Sequence, residues 1–240
     1  MNYAVFLSGG TGTRTGANIP KQYIRAGKHM MVTYALKALT ECELIGHICV
    51  VADNAWREDI LADAGSAGLD AGKITCFASP GENRQMSALN GMRELLDNVG
   101  LAGTDIPDGD TVLIHDAARP FLTGKLLKLC YEAVSEHDGV MPVLPMKDTV
   151  YISDDGKKIS GLIDRSTVFA GQAPEIFRFR PYYEANIALL PDRIKLINGA
   201  SEPAVMNRMD IVMVQGDEKN YKVTTAEDLK RFLDMTEFEG

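Results

Sequence analysis

The chain has 240 residues, 45% of them hydrophobic, with a formal net charge of −8 and a pI near 5.1. That is enough apolar material to bury one sizeable core, so residues 1–240 are read as a single domain. The acidic balance excludes a nucleic-acid-coating surface, and no apolar run reaches the roughly 18 residues that span a bilayer. Met1-Asn2-Tyr3 lacks the charged start and long apolar stretch of a secretion signal. A soluble, cytoplasmic protein is therefore expected.

Tyr3 to Leu7 is an apolar run of strand character, and it empties into Leu7-Ser8-Gly9-Gly10-Thr11-Gly12-Thr13-Arg14, closed by Pro20-Lys21-Gln22. Glycine lets main-chain N–H groups come close to a ligand, and here Arg14 and Lys21 flank the cradle with positive charge. The loop is suited to a polyphosphate. It is not a P-loop, because no Lys follows a glycine at the required distance. It is not a dinucleotide fingerprint either, since Thr15 stands where the third glycine belongs.

Met31 to Leu44 has helical spacing, His47 to Ala52 reads as a buried strand, and Asp53 or Asn54 can cap the next helix. Lys73 to Ala78 is a third strand, Asn83 to Asn98 a helix, and Thr111 to His115 a fourth strand. Thr123 caps a helix running to about Glu136, and Gly139 to Val143 is another strand. Strands alternating with helices predict an α/β fold: a Rossmann-like, mostly parallel sheet with helices on both faces. Ligands bind such sheets at the carboxyl ends of the strands. Residues 8–21, 79–87 and 115–120 all fall there.

From 147 to 173 the pattern changes. Thr149–Ser153 and Lys158–Leu162 alternate across Asp154-Asp155-Gly156, as in a hairpin. This looks like an arm inserted in the domain, and an exposed hairpin of this kind suggests a homodimer. Phe177 to Leu190 reads as helical, broken by Pro181. Ile211 to Val214 is a strand, and a last helix is capped by Thr224 or Thr225. The cysteines Cys42, Cys49, Cys76 and Cys130 show no C-x-x-C spacing and read as free thiols, two of them inside strands.

Asp116 ends a buried strand opposite the glycine-rich loop, a good place for a carboxylate that holds Mg²⁺. Arg119 is placed to neutralise a second phosphate, while His115 reads as packed rather than catalytic. In Gly81-Glu82-Asn83-Arg84-Gln85-Met86-Ser87, Gly81 gives close backbone access and Ser87 can bond the edge of a base. Arg84 is expected to hold this loop through bonds to carbonyls. Lys222 is a third catalytic cation, with Thr225 as helix cap and Lys219 solvated. Arg165 anchors a second anionic substrate or pairs with Asp164. Two other classes compete with a transferase. A Rossmann-type oxidoreductase conflicts with the missing third glycine, and a non-catalytic nucleotide sensor conflicts with the full set of cations.

These residues resemble the sugar-alcohol-phosphate cytidylyltransferases, the family of the 2-C-methyl-D-erythritol 4-phosphate and ribitol-5-phosphate enzymes. The likeness runs nearly end to end, through the glycine-rich loop with Arg14, Pro20-Lys21-Gln22, Gly81 to Ser87, His115 to Phe121, Lys147-Asp148-Thr149, Asp164-Arg165, Gly171 to Pro174 and Asn220 to Thr225. It implies transfer of CMP from CTP to a sugar-alcohol phosphate. On that resemblance Arg14 and Lys21 stabilise the transition state at the α-phosphate, and Arg165 and Lys222 position the acceptor's phosphate. Leu7, Ser8, Gly9, Gly10, Gly12, Gly81, Glu82, Asn83, Arg84 and Ser87 hold the nucleotide, with Ser87 and backbone groups selecting cytosine. Asp116 holds Mg²⁺, Arg119 and Thr149 line the acceptor site, and a homodimer exchanges the hairpin arm. The chain departs from the family pattern at Thr15, at Ala173 and Glu175 (where relatives carry Thr and Gln), and at Asn198-Gly199. The acceptor stays open between methylerythritol phosphate, slightly favoured, and ribitol 5-phosphate.

Overall fold

A computed structural model describes residues 1–10 and 19–237. The first half runs β1 (Asn2–Leu7), a ribbon of β2 (Arg25–Ala26) and β3 (His29–Met30), α1 (Met31–Glu41), β4 (His47–Val51), α2 (Asn54–Ser66), β5 (Ile74–Ala78), α3 (Arg84–Val99) and β6 (Thr111–Asp116). Then come α4 (Gly124–Val134), β7 (Gly139–Pro145), β8 (Val150–Ile152), β9 (Gly161–Ile163), β10 (Phe169–Gly171) and β11 (Glu175–Arg178). The chain closes with α5 (Phe179–Ile187), α6 (Ser201–Met206), β12 (Ile211–Gln215) and α7 (Ala226–Glu237).

β1 is apolar on both faces because it lies mid-sheet. Ala4 and Phe6 pack with Leu36 and Leu39 of α1, Ile60 of α2 and Leu127 of α4. Tyr3 and Val5, one residue out of phase, pack with Leu89 and Met92 of α3, Tyr182 of α5 and Ala204 of α6. Successive strand side chains point to opposite faces, so a continuous apolar run is what a sheet covered twice requires. α3 lies close on β1 because Gly91 has no side chain. A Cβ there would stand 2.5 Å from Val5 Cγ1.

The strands β5-β4-β1-β6 are parallel neighbours. β11 enters antiparallel between β6 and β7, β10 continues along the same edge of β7, and β12 adds in parallel to its other edge. From β1 the chain steps outward to β4 and β5, then returns to β6 on the opposite side of β1. The strand order therefore reverses at β1 and β6, and the crevice beyond their carboxyl ends is where such a sheet binds its ligand.

Two expectations are corrected. Residues 177–190 are not helical throughout: Glu175–Arg178 form β11, with Ile176 opposite Leu113 and Phe177 opposite Val112. Pro181 does not break the helix. It lies in the first turn of α5, where its missing N–H costs nothing. In the arm the paired strands are shorter than read, Val150–Ile152 against Gly161–Ile163. Asp155 Oδ1 accepts from the N–H groups of Lys157 (2.8 Å) and Lys158 (2.9 Å), and so keeps those residues in the turn. All four cysteines are free, with Cys49 and Cys130 buried.

Candidate active site

The floor of the crevice is made by backbone that runs on past the strands. Ser8 N–H donates to Val51 O, and Ala117 N–H to Leu7 O, both at 2.9 Å. Gln22 then ties the glycine-rich loop from beneath, its Nε2 donating to Ser8 O at 2.7 Å and to Gly10 O at 2.6 Å. The Tyr23 hydroxyl donates to the same Ser8 carbonyl at 2.7 Å, and its ring stacks on Trp56. Pro20 fixes the entry to a single 3-10 turn at Lys21–Tyr23. Lys21, only 8% exposed, faces the crevice beside Gly9 and Gly10.

α3 supplies the opposite wall. Asn83 caps it, its Oδ1 accepting from Met86 N–H at 2.8 Å while its Nδ2 donates to Ile194 O at 2.9 Å. Ser87 Oγ accepts from Gly81 N–H at 3.0 Å and donates to Asn83 O at 2.9 Å, so it braces the turn it belongs to. A Cβ on Gly81 would fall 2.4 Å from Met86 Cβ. Only glycine lets this turn fold back so tightly.

Between these walls lies a charge cluster. Asp116 Oδ1 accepts from Arg84 Nε at 2.9 Å and Oδ2 from Lys222 Nζ at 2.7 Å. Burial alone would raise the carboxyl's pKa, but Arg84 and Lys222 overcome it and hold Asp116 well below the ordinary carboxylate range. Arg84 Nη2 also reaches Glu175 Oε1 at 3.5 Å. Burial lifts Glu175 to about 7, against the pull of Arg84. His115 stacks on Phe6, donates from Nε2 to Arg119 O at 3.2 Å, and is pushed by burial to about 4, so it is neutral at pH 7. It is packed, as expected.

The resulting cleft, about 420 Å³, is lined by Leu7, Gly9, Gly10, Lys21, Gly81, Glu82, Asn83, Arg84, Ser87, Asp116 and Lys222, among others. Residues from four separated stretches of sequence thus meet at the reversal point of the sheet. Arg14 and Gly12 lie outside the described residues. Arg84 departs from expectation, since its partners are the carboxylates of Asp116 and Glu175 rather than loop carbonyls. Two buried acids on strand ends outcompete neutral acceptors for a guanidinium.

Four predicted residues stand outside this cleft, Ser8 among them: it is buried beneath the glycine-rich loop, where its hydroxyl donates to the Tyr23 hydroxyl at 3.1 Å. Arg119 donates to Asn220 O at 2.8 Å and so pins the stretch that carries Lys222. Arg165 and Thr149 are exposed on the arm. Arg165 Nη1 donates to Lys147 O at 2.7 Å, while Asp164 accepts from Ser166, so Arg165 and Asp164 are not paired. Lys147 forms an ion pair with Glu218, which ties the base of the arm to the loop before Lys222. Thr225 caps α7 as read, with Asp228 closing a capping box on Thr224 and Thr225.

Sequence reading missed Gln22 and Glu175 as site residues. Glu175 had a signal, being one acid inside the apolar stretch Ala-Pro-Glu-Ile-Phe, where a buried charge must find a partner. Among the described residues no group of three or more His, Cys, Asp and Glu forms a metal cage, and no helix is long and apolar enough to cross a membrane.

The family model for 2-C-methyl-D-erythritol 4-phosphate cytidylyltransferase matches residues 3–233. The chain belongs to this family. It is 31% identical to the cytidylyltransferase of that name from Geobacter metallireducens, covering 95% of this chain and 94% of the relative. It is also 31% identical to the bifunctional enzyme IspD/IspF of Maricaulis maris, but spans only about half of it (55%). The crystal structure of 4-diphosphocytidyl-2C-methyl-D-erythritol synthase from Anaerococcus prevotii superposes with a TM-score of 0.77 over 98% of this chain and 96% of that one, at 23% identity. That likeness is one of fold. Family membership makes the chain a CTP-dependent nucleotidyltransferase and removes the oxidoreductase alternative.

Proposed function

We propose that the chain transfers CMP from CTP to the phosphate of 2-C-methyl-D-erythritol 4-phosphate, a step toward isoprenoid precursors. One phosphate oxygen of the acceptor attacks the α-phosphorus, a new phosphoanhydride bond forms, and the α–β bond breaks to release pyrophosphate. The observation that carries this reading is the convergence of Lys21, Arg84, Asp116 and Lys222 on one cleft in a chain whose family is defined by that reaction. The attacking oxygen is already anionic near neutral pH, so no strong base is needed. The barrier lies in bringing anions together and spreading charge over an in-line phosphorus. Fixed cations lower it by positioning and electrostatics.

Lys21, with Arg14 from the same loop, faces the α-phosphate in this reading, and Ser8 to Gly10 with Gly81 to Ser87 hold the nucleotide. Asp116 suits Mg²⁺: each of its oxygens has one protein donor, which leaves a lone pair on each for a hard cation shared with substrate phosphates. When bound, the metal would neutralise charge on the triphosphate. Lys222 and Arg119 take the side toward the acceptor.

Arg165 and Thr149 reach an acceptor from the arm. Tyr151, Ile159 and Leu162 there are 54%, 66% and 65% exposed, apolar side chains that a second copy of the chain would cover. The protein therefore works as a homodimer of one-domain chains (1–240), with residues 147–173 as an exchanged arm. Four thiols and water-soluble substrates fit a cytoplasmic setting. The test is pyrophosphate release from CTP and Mg²⁺ with methylerythritol, ribitol, erythritol and glycerol phosphates. Turnover is expected with the first. Release with ribitol 5-phosphate alone replaces the acceptor, and release with none defeats the reading.

A further inference from the structure

We propose that Glu175 is a positioning residue for this transfer: its buried carboxylate holds the Nη2 edge of Arg84, which keeps the Nε edge on Asp116 and the side chain against the cleft. The inference rests on the functional reading above, but its geometry stands apart from it. Glu175 lies opposite Ile114 in the antiparallel pair of β11 and β6. Opposed residues share a sheet face, and so do residues two apart, so Glu175, Ile114 and Asp116 point the same way. That face is the one α3 covers, and Arg84 is the first residue of α3. The guanidinium is thus set between two carboxylates that adjacent strands present side by side.

Arg84 has few other restraints. Nε bonds Asp116 at 2.9 Å, Nη2 faces Glu175 at 3.5 Å, and Nη1 is buried with no partner among the described residues. Without Glu175 a largely buried guanidinium would pivot on one bond, and Asp116 would carry two cations with no second acid to share them. The groups facing Glu175 are Arg84 on α3, Asp116 and Arg119 on β6 and the turn after it, Tyr182 on α5, and the Ser201 N–H of α6. Burial lifts the Glu175 carboxyl to about 7.

The isosteric variant Glu175→Gln tests this, with thermal melting to show that it folds. Its kcat should fall about tenfold at pH 8, the scale of one charge-assisted contact. KM for CTP should stay within about twofold, as for a contact that positions a group rather than binds substrate. In an Arg84→Ala background the same change should cost little more, because the two residues act as one unit. Wild-type turnover in E175Q at pH 8, a KM for CTP raised as far as kcat falls, or multiplying effects in the double variant each overturn the proposal. If the wild type releases no pyrophosphate with any acceptor, the functional reading fails instead. Solvent exchange of the Arg84 Nε proton, followed by NMR without substrate, then decides. Acceleration of about threefold or more in E175Q supports the proposal, and unchanged exchange overturns it.

Discussion

The cleft and the arm are built on opposite principles. Around the cleft, each functional group is held by backbone or by a buried partner: Gln22 under the loop carbonyls, Asn83 on the 194–195 carbonyls, Arg84 and Lys222 on Asp116. The arm holds Arg165 and Thr149 at the foot of a short two-stranded ribbon whose apolar side chains face outward. A two-stranded ribbon alone is marginal in water. One region is preorganised by its own fold, and the other leaves its apolar side chains uncovered.

Breaking the preorganised half should have the largest effect. Lys21→Ala is expected to lower kcat by about two orders of magnitude or more, as for loss of one preorganised transition-state contact of roughly 3 kcal/mol, with the melting temperature nearly unchanged. A purified variant with near wild-type turnover removes Lys21 from the mechanism. On the arm, Leu162→Asp should convert the dimer to monomer in sedimentation and cost about tenfold or more in turnover, while CTP affinity measured by calorimetry stays within about twofold. Equal loss of nucleotide affinity would mean that the two regions are not separable.

A smaller effect is expected at the nucleotide turn. Gly81→Ala should raise KM for CTP by about tenfold through a forced shift of the Ser87-braced loop, with a lesser effect on kcat. The smallest concerns stability. Because burial raises the Glu175 pKa, the folded state favours the protonated acid, and that stabilisation is lost as pH rises from about 4.5 through about 7. Glu175→Gln should therefore melt a few degrees above wild type at pH 8, with the gain vanishing near pH 5. A variant that melts lower at pH 8 would contradict the cost of ionising this buried acid. Asp116 has the opposite sign: its depressed pKa adds stability above the usual carboxylate range that is lost on acidification.

Much of this was legible in the chain itself. The apolar run of β1, Gly9 and Gly10 after it, Lys21, Asp116 and Lys222 each announced their place locally, because strand ends and turns leave strong short-range signals. β11 did not. Ile176-Phe177 is too short a run to show its period, and the segment is a strand only because β6 and β7 leave a slot between them. Arg84 was seen, but its partners were misjudged, since Glu175 is 91 residues away in sequence.

The sequence by itself determined an alternating sheet-and-helix architecture, a glycine-rich loop at the first strand end and the residue types for moving a nucleotidyl group. Those properties follow from periodicity, turn chemistry and charge within a dozen residues. Tertiary structure decided which charges meet. Strand register set Glu175 beside Asp116, the close approach of α3 over Gly91 brought Arg84 between them, and the arm left Arg165 and Thr149 exposed outside the cleft. Such pairings depend on distances between strands remote in sequence, which no local pattern encodes.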